Sequence, residues 1–139
     1  MAISLSQAAR QAAANAVVDL IDAGAGPGQV VIYAGTPPAN ADAALSGNTV
    51  LASLATSDPA FGNADASGTA TAGSITQQNA SDTGDATFFR VEDSDSNVVK
   101  QGTVTQTGSG GDMQLANVTI TSGNPVEITS YTHQQPAGG

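Results

Sequence analysis

Seven consecutive residues, Ala86-Thr87-Phe88-Phe89-Arg90-Val91-Glu92, constrain the fold more than any other stretch of the chain. They hold two of the three Phe residues and one of only three basic residues. Aromatic and β-branched side chains fit a pleated, half-buried surface, so the run predicts a central β-strand. Alternation places Thr87, Phe89 and Val91 on one face and Ala86, Phe88 and Arg90 on the other. Phe89 is expected in the core, and Phe88 under the N-terminal helix or in an interface. The polar run Asp93-Ser94-Asp95-Ser96-Asn97 and a second apolar–polar run, Val98 to Thr105, complete a hairpin with a five-residue loop.

The remaining segments read as partners for this hairpin. Residues 4–22 predict the one helix, with Ser4 as N-cap and Gln7 completing a capping box. Ala8 to Ala16 has high helix propensity. Leu5, Ala9, Ala12, Ala16 and Leu20 are expected on the buried face, flanked by Val17 and Ile21. Such a helix covers its own sheet; the alternative is an arm that docks on a partner. The glycines of Gly24-Ala25-Gly26-Pro27-Gly28 follow a helix and precede a strand, the reverse of a phosphate-binding loop, so a flexible connector is expected.

Strands are expected at Gln29–Tyr33 and Thr49–Thr56, the latter with Val50, Ala52 and Leu54 on one face. A long loop, Gly35 to Asn48, separates them. Asp58 to Gly62 reads as a turn anchored by Phe61, and Thr69 to Thr76 as a weak edge strand. A polar loop, Gln77 to Asp85, leads to the hairpin. Beyond the hairpin, Met113 and Leu115 differ in parity from Val118 and Ile120, which predicts a bulge or break near Ala116-Asn117. Val126 and Ile128 are expected inward on a last strand, with Tyr131 on its other face. The resulting expectation is an all-β chain: a β-sandwich or jelly roll of about seven or eight short strands with one N-terminal helix. One domain spans 1–139, with the helix at 4–22, the sandwich at 29–133 and a flexible tail at 134–139.

Composition narrows the function classes. Leu, Ile, Val and Phe number 26 of 139 residues, a thin supply for a core, and the net charge is −9. The large apolar residues nevertheless cluster in strand-length runs, which favours a folded chain that gains stability from a partner. With no Cys, neither disulfides nor thiolate metal sites are open to it. Three basic residues make no phosphate-tracking surface, so no direct nucleic-acid binding is expected. No run approaches the length of a membrane span, and the start of the sequence does not read as a signal peptide. Without that signal, the glycosylation patterns at Asn79 and Asn117 carry no meaning.

Chemistry-bearing motifs are few. Asp93-Ser94-Asp95-Ser96-Asn97 copies the first five positions of a calcium loop. Val98 then stands where Gly is needed and Val104 where the bidentate Glu belongs. A turn that satisfies its own backbone is the expectation, with no metal and no cofactor. A hydrolytic triad would need His133, the single histidine, which lies beside the expected tail. Ten of the twelve acids are Asp in turn-like contexts, which suits capping more than paired-carboxylate catalysis. No catalytic residues are assigned, and no enzyme is expected.

The runs Ile32-Tyr33-Ala34-Gly35-Thr36-Pro37-Pro38-Ala39-Asn40-Ala41-Asp42, Leu51-Ala52-Ser53-Leu54, Asp58-Pro59-Ala60-Phe61-Gly62 and Thr87-Phe88-Phe89-Arg90-Val91 together resemble the capsid-cementing (decoration) proteins of tailed bacteriophages. The resemblance continues through the late strands and covers most of the chain. It implies a jelly roll that sits as a homodimer outside the shell and ties major capsid proteins together, after synthesis in the bacterial host cytoplasm. The matching motifs are scaffold, so no site residues carry over. Two alternatives stay open: a tail or head-fibre component of the virion, and a carbohydrate-binding β-sandwich. The second is poorly served by a chain with no Trp and two Tyr.

Overall fold

The computed structural model describes residues 3–136. Its secondary structure is one helix and ten strands, most of them antiparallel. The helix, α1, runs Gln7–Asp19, and one 3-10 turn, Leu20–Asp22, extends it. Ser6, not Ser4, is the N-cap, and its hydroxyl accepts from the Ala9 amide. The strands are β1 (Gln29–Ala34), β2 (Thr49–Ala55), β3 (Thr69–Thr71), β4 (Gln78–Asn79), β5 (Gly84–Glu92), β6 (Val98–Gln106), β7 (Met113–Leu115), β8 (Thr119–Ile120), β9 (Pro125–Val126) and β10 (Thr132–Gln134). Three of them have only two residues, too short for any alternating pattern, and this accounts for a number above the expected seven or eight.

The central sheet has the order β2-β1-β5-β6-β7, with β8 added to β5. The hairpin β5–β6 forms with its loop at residues 93–97, and β1 lies on the other side of β5. Two small ribbons, β3–β10 and β4–β9, complete the strand pairing. Only β6 and β7 run parallel among the described pairs. Parallel neighbours ordinarily need a crossover of a dozen or more residues. Here six residues suffice, because Gly108 and Gly110 take positive φ and turn the chain back. Asp112 then pins the reversal by accepting from the Thr103 amide and hydroxyl.

The main core lies on the face of the sheet that carries Val30, Ile32, Ala52, Leu54, Phe89 and Val91. Gly102 sits opposite Phe89 in the ladder, and a Cβ there would come within 2.7 Å of the Phe89 ring. The glycine therefore makes room for the aromatic ring over the backbone. Helix α1 closes part of this core with Ala14, Val18 and Ile21, spaced i, i+4, i+7. The expected face is the outer one: Ala9, Ala12 and Ala16 are exposed, as are Leu5 and Leu20. A helix with Ala on all sides has almost no amphipathic preference, so tertiary partners decide its rotation. Asn15 accepts from the Ala64 amide, Gln11 donates to the Ala64 carbonyl, and Asp22 accepts from the Ala60 amide.

Several local expectations shift for identifiable reasons. Val50 is exposed rather than inward, because the β1–β2 register slips between Ile32 and Tyr33. β3 stops at Thr71, and only isolated bridges follow at Ala72 and Ile75. Met113, Leu115 and Ile120 are all buried across the expected break at Ala116-Asn117. Val126 and Ile128 are buried, but Tyr131 joins the same core instead of the opposite face. No strand spans 127–131, so strand parity does not carry that far. The expected tail begins too early: Gln134 belongs to β10, and the Gln135 amide donates to the Gly68 carbonyl. The rest of that tail, residues 137–139, lies outside the described residues.

Phe88 is fully buried, but under neither the helix nor an interface. It stacks on Tyr33 with ring centres 4.8 Å apart, and with Val31 the two rings form a second, smaller core on the opposite face. The loop of residues 35–48 folds over this face. Arg90 donates to the carbonyls of Asn40 and Ala43, and Gln101 donates to that of Pro38. Asn48 closes the loop on itself through the carbonyls of Ala34 and Thr36.

Candidate functional site

The sequence-level metal candidate resolves into a turn. The Asp93 carboxylate accepts from the amides of Asp95 and Asn97 and from the Asn97 side chain. Hydrogen bonds from the Asn97 side chain and amide hold its pKa below the usual carboxylate value. Ser96 takes φ 66, the left-handed conformation this turn requires. Both Asp93 oxygens are therefore already engaged by the hairpin itself. Among the described residues no group of three His, Cys, Asp or Glu side chains is arranged to hold a metal ion.

A different constellation forms where β6 meets β10. Lys100 pairs with Val91 across the ladder, which puts its side chain at the rim of the main core. Its Nζ lies 2.8 Å from Nδ1 of His133 and 4.9 Å from the centre of the Tyr131 ring. An ammonium group has donors only, so a charged Lys100 makes Nδ1 the acceptor and leaves the neutral ring's proton on Nε2. That Nε2, like the Tyr131 hydroxyl, is buried without a hydrogen-bond partner. Tyr131 is held edge-on to both Phe61 and Phe89.

The electrostatics follow from this packing. Burial lowers the Lys100 pKa to about 8, with only partial relief from the negative charge of Asp112. Burial, and then the Lys100 charge, lowers that of His133. Burial, and then Asp112, pushes the Tyr131 phenol up. Beside these groups lies a hollow of about 380 Å³ whose walls include Phe89, Gly102 and Asp112. One Asp112 oxygen is already used by Thr103.

A second hollow, about 410 Å³, lies beyond β7. Gln114, Asn117, Thr119, Thr121 and Thr129 line it with amides and hydroxyls, and Glu127 contributes the one charge. No aromatic ring is among its walls, so it lacks the stacking platform that sugar sites use.

His133 is thus not beside a loose tail but locked in a strand, and it is brought together with the chain's single lysine across 33 positions. The pairing is long-range and unreadable from spacing. The available signal is parity: Lys100 alternates with Gly102 and Val104, the inward positions of β6. No protein-family model, curated protein or solved structure matches this chain. No helix among the described residues is long and apolar enough to cross a membrane.

Proposed function

We propose that this chain is a structural virion protein. It binds the outer surface of a phage capsid as a homodimer and cements major capsid protein subunits, with its sheets arranged as a jelly-roll-type β-sandwich. Its role is stoichiometric binding rather than catalysis, and it uses no cofactor.

The observation that carries this reading is the outward face of α1. Large apolar residues are scarce in the sequence, yet Ile3 is 82% exposed and Leu20 57% exposed. Leu5, Ala9, Ala12, Ala16 and Leu20 recur at helical spacing, and all are exposed. Isolated surface apolar residues are ordinary, but an aligned stripe marks a contact surface. The net charge of −9 suits the outside of a shell, away from packaged DNA, facing basic patches. The long loop 35–48 does not serve as the docking element, since its carbonyls are held by Arg90 and Gln101 of its own sheet.

Adding the purified protein to particles that lack it, followed by imaging, tests the proposal. Stoichiometric density on the outer shell with raised particle stability is the expected result. Leu20→Asp should remove the density and leave the melting temperature within about 2 °C, as for a surface change of about 0.5 kcal/mol or less. Density confined to the tail would replace this reading with the tail or head-fibre one, and absence of binding would overturn both.

A further inference from the structure

We propose that the Lys100 hollow is a covalent docking site for a short-chain hydroxyaldehyde, held as an imine on Nζ. The inference stands apart from the capsid reading and does not depend on it.

Three features of the site carry it. First, Lys100 forms part of the wall of an open hollow, and the hydrogen-bond partner of its amine is the His133 ring rather than a carboxylate. A hollow of about 380 Å³ beside Nζ admits a small organic molecule. Asp112 is the acid on its wall, and one Asp112 oxygen is tied to Thr103, so the carboxylate is anchored at the rim. Its other oxygen remains an acceptor for a hydroxyl group.

Second, the amine is held in a reactive form. Nζ–H donation to His133 Nδ1 at 2.8 Å fixes one direction of the group and leaves the nitrogen lone pair of the neutral amine free. Burial of Lys100 disfavours the ammonium state, as it does for catalytic Schiff-base lysines, and outweighs the opposing pull of the Tyr131 ring face on the charge. With a pKa of about 8, roughly one amine in ten is neutral at pH 7, against about one in three thousand for an ordinary lysine.

Third, an acid–base group is in place for both proton transfers. The lone pair attacks the carbonyl carbon, the C=O π bond opens as the C–N bond forms, and the first Nζ proton passes through His133 Nδ1 to the oxygen to give a neutral carbinolamine. The second Nζ proton follows the same route to the carbinolamine hydroxyl. The C–O bond then breaks, the oxygen leaves as water and the C=N bond remains. Atoms and charge balance with no oxidant or reductant.

Because Lys100 is the chain's single lysine, the readout is simple. The native protein is incubated at pH 7 with glyceraldehyde and a trapping hydride reagent, next to a reference peptide that contains one ordinary lysine. Lys100 labelling is followed by peptide mass mapping. The expected result is labelling at least tenfold faster than the reference peptide. It should fall to the reference rate in urea and drop several-fold in His133→Gln with the melting temperature followed in parallel. Butanal, which lacks the hydroxyls that Asp112 would accept from, should label the native protein more slowly than glyceraldehyde. A native Lys100 that labels no faster than the reference, or that labels faster only after unfolding, overturns the proposal. Equal rates with glyceraldehyde and butanal overturn the hydroxyaldehyde assignment.

Discussion

The two faces of the central sheet are closed in different ways. On one, Phe89, Val91, Ile32 and Leu54 meet α1, the small ribbons and Tyr131, and the cover is mainly apolar, with Lys100 and His133 at its rim. On the other, Phe88 stacks on Tyr33, and the cover is a loop tethered by hydrogen bonds from Arg90 and Gln101. Arg90 and Glu92 are both buried here, and Glu92 accepts from Gln29. One face therefore depends on side-chain volume. The other depends on a few charged and polar groups that satisfy loop carbonyls. A chain with so few large apolar residues can afford one apolar face, and it closes the second with polar bonds.

The sharpest probe of that difference is Phe89→Ala. It removes a fully buried ring from the volume-dependent face, and truncations of this kind cost about 3–5 kcal/mol. Denaturant unfolding should show the loss in full, and a loss under about 1 kcal/mol would mean that this face also tolerates poor packing.

The rim of the same face holds the half-buried Lys100, so pH comes next. Lys100 titrates near 8 in the folded chain and near 10.4 when unfolded. Between these values the unfolded chain binds more protons, so stability rises with pH from about 8 to about 10, by up to about 3 kcal/mol. Above pH 10 the gain reverses, because the raised Tyr131 pKa keeps its proton in the folded chain while the unfolded phenol ionises. His133 adds a smaller slope of the same sign: its lowered pKa means that stability present above about pH 6.5 is lost as pH falls. Lys100→Met should abolish the upper rise in a pH series of urea melts, and a slope that survives the substitution would assign it elsewhere.

On the polar face, Arg90→Ala strips two loop carbonyls of a charged donor. The expected cost is about 2 kcal/mol, in line with hydrogen bonds to charged groups. Limited proteolysis should then cut within residues 36–47 before the rest of the chain unfolds. Unchanged protease resistance would show that the loop is held by packing after all. Smallest of all is the effect of chelation. The turn that joins β5 to β6 has both Asp93 oxygens engaged by its own amides, so chelator should leave the melting temperature unchanged. A drop that calcium restores would count against the turn as described.

The alternation in Ala86–Glu92 made the main core around Phe89 legible and put Phe88 on the opposite face, but not the second core that Phe88 forms there with Tyr33 and Val31. What covers each face was not legible. Ala8 to Ala16 offers apolar surface in every direction, and the long-range bonds that Asn15 and Gln11 share with Ala64 help to fix which stripe turns inward. The loop 35–48 reads as unattached because its tethers come from Arg90 and Gln101, 47 and 63 residues beyond the carbonyls they hold. The Lys100–His133 pair was hidden for the same reason. Local pattern encodes strand parity and turn chemistry, while long-range pairing is set by the assembled whole.

The pairing of β3 with β10 has a consequence for how the chain is born. Thr69 waits for Gln134, and the helix whose inner stripe packs beside them is synthesised before either strand. Between Asp19 and Gln134 the ribosome must add about 115 residues, some 6 to 23 seconds at about 5–20 residues per second. Through that interval Val18 and Ile21 have no finished seat. The nascent chain carries two apolar helix stripes rather than one, and chaperone occupancy during synthesis should be governed by the stripe that the mature protein hides.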